Sequence, residues 1–131
     1  MLSPRSRLAL SLALSLALPF VAASCTTSTE PNGQVQVEVR TDGLLVTNQT
    51  GRAITYSAYN PEALMLYAKL VDPCYDRCPT IGAGDQGLVA WTEVAGYDKS
   101  HRTYVLSWSQ TGAMPNAGQV DVIVPDGIAL P

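Results

Sequence analysis

Residues 34–49 read QVQVEVRTDGLLVTNQ, and their spacing decides the fold. Val35, Val37 and Val39 fall on one side of an extended chain, with Gln36, Glu38 and Arg40 on the other. Successive side chains of a strand point to opposite faces, so this period of two marks a strand with one face buried. Asp42-Gly43 is a tight-turn pair, and LLVTNQ returns as a second strand. The unit is a β-hairpin.

The same rhythm recurs downstream. After a turn at Asn48 to Gly51, AITYSAY sets Ile54, Tyr56 and Ala58 against Thr55, Ser57 and Tyr59. Glycine-rich IGAGDQG is a bend, and LVAWTEV predicts a strand from Leu88 to Val94. RTYVLSWS places Tyr104, Leu106 and Trp108 on one face, and Gln119 to Pro125 reads as a closing strand. The segment Glu62 to Leu70 carries two signals. Asn60 and Pro61 could cap and open a helix, whereas Leu64, Leu66, Ala68 and Leu70 alternate as a strand would. The alternation, with strand-like neighbours on both sides, favours a strand.

About seven short strands separated by frequent turns make an all-β chain, an antiparallel sandwich spanning residues 34–125. The pattern resembles the immunoglobulin-like and fibronectin type III-like sandwiches. That resemblance implies a corner tyrosine, for which Tyr97 and Tyr104 are both candidates. The Cys…Trp…Cys signature of antibody domains is absent.

The N-terminus speaks to location. Arg5 and Arg7 precede the apolar run LALSLALSLAL, and small residues follow before Cys25. These are the three parts of an export signal, and the run, ended by Pro19, is shorter than the roughly 20 apolar residues of a membrane span. Ala22-Ala23-Ser24-Cys25 resembles the lipobox of bacterial lipoproteins, although Ala22 stands where leucine is commonest. The resemblance implies a signal peptide over 1–24, lipid on the Cys25 thiol, and a membrane-anchored place in the bacterial cell envelope. In a cell with two membranes, Thr26 after the cysteine favours the outer one. Residues 25–33, polar and punctuated by Pro31 and Gly33, read as a flexible tether, and 126–131 form a C-terminal tail. The pattern also resembles small envelope lipoproteins that carry one such sandwich.

Composition bounds the partners. The chain has 8 Lys and Arg against 11 Asp and Glu, a net charge of −3, and the signal holds two of the arginines. An acidic chain without a basic cluster is a poor match for nucleic acid, because phosphate binding rests on cationic side chains.

The stretch Asp72 to Pro79, DPCYDRCP, holds the other two of the three cysteines. Cys74 and Cys78 lack further cysteines or a histidine pair to complete a zinc site, and a four-residue step is not the spacing of a thioredoxin-like redox pair. With Cys25 given to lipid, Cys74 and Cys78 remain as a disulfide. In an extended strand they would stand about 13 Å apart, whereas a disulfide needs roughly 4.4–6.8 Å between Cα atoms. The segment must curl into a turn, which Pro73 and Pro79 encourage. Such a short loop stabilises by only about 2 kcal/mol. Tyr75 and Arg77 lie inside it and are the expected binding side chains, being types favoured at interface hot spots.

No catalytic arrangement is visible. Ser57 and Ser107 lack a nucleophile-elbow pattern, and the single histidine, His101, sits in a polar loop. Asp72, Asp76 and Asp85 lack calcium-loop spacing, and no cofactor or metal is expected. Asn48-Gln49-Thr50 forms a glycosylation triplet without evident use in a bacterial envelope. The expectation is a non-catalytic interaction module with an envelope protein as partner. The alternative is a small sandwich-type inhibitor of envelope proteases.

Overall fold

The computed structural model describes residues 27–29, 33–63 and 78–131. Among them the chain forms β1 (Thr27–Thr29), β2 (Val35–Val39), β3 (Gly43–Asn48), β4 (Ile54–Tyr59), β5 (Thr80–Ile81), β6 (Gln86–Ala90), β7 (Thr103–Gln110) and β8 (Ala117–Ile123). A single turn of 3-10 helix follows β6 at Trp91–Glu93. The strands make two antiparallel sheets, ordered β1-β2-β3-β6 and β5-β4-β7-β8. The described residues form an antiparallel all-β sandwich.

The alternation seen in sequence is the alternation of burial. Val35, Val37 and Val39 face inward from β2, and Leu44 and Val46 do so from β3. The second sheet answers with Ile54, Ala58, Tyr104, Leu106, Trp108, Val120 and Val122. Each such aliphatic side chain contributes about 1.5–3 kcal/mol when withdrawn from water. Pairing brings Val37 opposite Val46 and Tyr56 opposite Trp108.

The hairpin turn lies one residue earlier than Asp42-Gly43. Arg40 N–H donates to Gly43 O at 2.8 Å and Gly43 N–H to Arg40 O at 3.4 Å, leaving Thr41 and Asp42 as the loop. Gly43 is needed for another reason. A Cβ at that position would run into the carbonyl of Val89 on β6, so glycine admits the close approach of β3 and β6.

Three expectations are corrected. Thr27–Thr29, within the segment read as a flexible tether, is strand β1, with Thr27 opposite Glu38 and Thr29 opposite Gln36. Its β-branched threonines suit an edge strand that needs no apolar face. The strand expected over Leu88 to Val94 instead ends at Ala90, where Glu93 Oε2 accepts the Ala90 N–H at 2.9 Å and folds the chain into the 3-10 turn. At the start of the Glu62 to Leu70 segment, residues 61–63 are helical. Asn60 Oδ1 accepts the Glu62 N–H at 3.0 Å, the bond of a helix cap, and Pro61 fits the first helical position. Residues 64–70 lie outside the described residues.

Tyr104 takes the corner position. Its hydroxyl donates to Asp98 O at 2.7 Å and lies 3.3 Å from His101 O, six and three residues upstream. Tyr97 packs beside it, with ring centroids 6.2 Å apart, and Trp91 stands 5.3 and 5.4 Å from the two tyrosines. Residues 126–131 fold back onto this cluster. Ile128 and Leu130 pack against the core, Arg102 Nη1 donates to Ile128 O at 2.9 Å, and the Tyr97 hydroxyl donates to Pro131 O at 2.8 Å.

Candidate functional site

Outward positions on β4 and on the Ser107–Ser109 part of β7 form an uncharged polar face. Because Ile54, Tyr56 and Ala58 turn inward on β4, Thr55, Ser57 and Tyr59 turn outward; on β7 the inward Leu106 and Trp108 leave Ser107 and Ser109 outside. Strand pairing places Thr55 opposite Ser109, and Ser57 opposite Ser107. The sequence pattern assigns each set to a face. Only the pairing of β4 with β7 joins them.

A depression of about 150 Å³ lies on this face, lined by Thr55, Tyr56, Ser57, Cys78, Ser107, Trp108 and Ser109. One side is braced by a small network. Tyr59 Oη and Ser107 Oγ share a hydrogen bond at 3.0 Å, and Gln119 Nε2 donates to each at 3.3 Å. Thr55 Oγ1 donates to Ser109 O at 3.3 Å, closing the other. Hydroxyl groups both donate and accept, so this face can exchange hydrogen bonds with a neutral polar ligand or a loop backbone.

Burial, and secondarily the charge of Glu93, pushes the Tyr56 hydroxyl above its ordinary value, and it stays neutral at physiological pH. His101 does not join the lining residues. Its Nδ1 lies 3.3 Å from Glu62 Oε2. A serine in this depression therefore has no imidazole base beside it among the described residues.

Cys78 is disulfide-bonded and stands at the border of the depression. Cys25, Cys74, Tyr75 and Arg77 lie outside the described residues, as do Asp72 and Asp76. Asp85 lies in the turn before β6, its N–H donating to Gly82 O at 3.1 Å. Among the described residues no three His, Cys, Asp or Glu side chains gather as a metal site.

Asn48 is fully buried. Its Nδ2 donates to Arg52 O, Ile81 O and Gly82 O at 2.8, 3.1 and 3.0 Å, and its Oδ1 accepts the Thr50 N–H at 2.9 Å. The glycosylation triplet is thus a structural joint that ties the β3–β4 turn to the end of β5. Trp91, Trp108 and Tyr104 are likewise interior, not an exposed aromatic surface. Trp91 Nε1 donates to Arg40 O at 3.2 Å, whereas Trp108 Nε1 is buried without a partner among the described residues.

No protein-family model matches the chain, and no curated protein or solved structure matches it significantly. The sequence and geometry alone carry the functional reading.

Proposed function

We propose that this chain is a lipid-anchored protein of the bacterial cell envelope acting as a non-catalytic binding module. Cys25 carries the lipid, Cys74 and Cys78 form the disulfide, and the depression beside Cys78 meets an envelope protein. The observation that carries the binding part is the placement of disulfide-bonded Cys78 against the neutral hydroxyl face of β4 and β7. A loop held by a disulfide loses less conformational freedom on binding, at about 0.5–1.5 kcal/mol for each side chain already ordered. Tyr75 and Arg77 lie within that loop and would supply the anchoring contacts beside the hydroxyl face. The acidic balance of the chain favours a protein over nucleic acid as the partner.

Crosslinking in intact cells tests the reading. The native protein is expected to capture a defined envelope protein, and Tyr75→Ala with Arg77→Ala to lose it at nearly unchanged thermal stability. Capture of the same partner in the same yield by the double variant would remove the loop from the interface. Mass spectrometry of the native protein should show acylated Cys25, and non-reducing peptide mapping should show the linked cysteines.

A further inference from the structure

We infer that β1 fixes the orientation of the domain on the membrane, holding the β2–β3 hairpin end against the lipid headgroups and turning the opposite loops away. The inference rests on the reading that Cys25 is acylated. Thr27 is already paired with Glu38, so Thr26 alone separates the anchored residue from the sheet. Two residues of extended chain span at most about 7 Å. A lipid at Cys25 therefore leaves no room for free tumbling, which a flexible tether of nine residues over 25–33 would have allowed.

The antiparallel register says which end is held. Thr27 lies towards Val39 and the Thr41-Asp42 loop, whereas Thr29 lies towards Val35. Gly43 of that hairpin pairs with Ala90, so Trp91–Glu93 is at the same end. Trp91 donates to Arg40 O and stands 5.4 Å from Tyr104 at the start of β7, which brings the 98–102 loop there too.

Charges at this end are mixed. Arg40 faces Asp42 at 3.7 Å and His101 faces Glu62, while Lys99 and Arg102 stand with Asp98 and Asp126. With Glu93 also there, this end has a modest acidic excess and does not itself draw headgroups in. The short anchor sets the orientation.

The opposite end carries residues 49–53, 82–85 and 111–116. It lies about 20–26 Å away, the length of six to eight strand residues. Its loops brace one another: Arg52 Nη1 donates to Ala113 O at 2.7 Å and Thr111 N–H to Ala53 O at 2.9 Å. Met114, 92% exposed and at φ 51°, is held at the tip. Loops facing away from the bilayer are those a soluble or periplasm-facing partner reaches first.

The test uses native acylated protein in phosphatidylcholine vesicles containing a lipid with a nitroxide headgroup. Thr41→Cys and Met114→Cys are each labelled with a small fluorophore; both parent residues are exposed. The Thr41 label is expected to be quenched several-fold more than the Met114 label. Inserting ten glycine and serine residues between Thr26 and Thr27 should abolish that difference while the protein still sediments with the vesicles. Equal quenching in the uninserted protein overturns the inference, as does a difference that survives the insertion. An unacylated Cys25, recognised by mass before any label is added, overturns the anchor itself.

Discussion

The hydroxyl of Tyr104 donates to the carbonyl oxygen of Asp98 across 2.7 Å, tying the loop before β7 to the strand it introduces. The ring itself is fully buried, so this bond joins the hydrophobic interior to a surface loop. Tyr104→Phe keeps the ring and removes the bond. The expected loss is about 1 kcal/mol. For a domain of this size that is a fall of roughly 4–8 °C in the thermal midpoint, readable by circular dichroism.

Asn48→Ala should cost more. It strips partners from the Ile81 and Gly82 carbonyls and from the Thr50 N–H. Buried groups left unpaired cost about 1–3 kcal/mol each, and the expected total is roughly 3 kcal/mol once some are rehydrated. Urea unfolding measures it. Asn48→Asp should be at least as damaging, since it sets a carboxylate against carbonyl oxygens. A loss below that of Tyr104→Phe would show that the joint is dispensable.

Gly43→Ala tests the approach of β3 to β6. The new methyl meets backbone, not a flexible side chain, so the strands must part. A loss of about 1–3 kcal/mol is expected, with faster hydrogen exchange of the β6 amides than of the β7 amides.

The two tryptophans should respond differently to phenylalanine. Trp91→Phe forfeits the bond from Nε1 to Arg40 O, whereas Trp108→Phe removes a buried N–H that has no acceptor among the described residues. Relieving an unpaired donor offsets part of the packing loss. Trp108→Phe is expected to be milder by about 1 kcal/mol. Equal losses in parallel urea titrations would refute the distinction.

Stability should fall at alkaline pH. Burial raises the Tyr56 and Tyr104 hydroxyls above the ordinary tyrosine value. In that window the unfolded chain gives up protons that the folded chain keeps, so the contribution is fully present below about pH 10 and lost as pH rises through the folded values. At the acid edge the sign reverses for Asp98, lowered chiefly by hydrogen bonding to Ser100, whose N–H donates to Oδ1 at 2.8 Å. Its share is present above the ordinary aspartate value and lost as pH falls. Urea midpoints across pH should show both edges, with the alkaline one reduced in Tyr56→Phe.

Legibility followed burial. β2, β4 and β7 could be read because one face of each meets the core and the other meets water, so apolar residues alternate. β1 could not, since Thr27, Ser28 and Thr29 form an edge strand with no apolar face to mark it. The end of β6 was hidden because Trp91 is buried two residues after buried Val89, where a continuing strand would also have it. For the candidate site, Cys78 was visible from cysteine spacing. The hydroxyl face was not, since Ser57 and Ser107 meet only through a register between strands far apart in the chain.

That long-range pairing also dictates when the molecule can become itself. β2 and β3 are joined by the three residues Arg40, Thr41 and Asp42 and can zip within the first part of the chain to be made. β4, by contrast, ends at Tyr59 and must wait for β7, which begins at Thr103. Closing so large a loop is entropically costly before any contact rewards it, and sandwiches dominated by such pairings fold in milliseconds to seconds. Until β7 and β8 have been synthesised, β4 lacks its long neighbour in the second sheet, and the β1-β2-β3-β6 sheet lacks the Leu106, Trp108, Val120 and Val122 side chains of the facing layer.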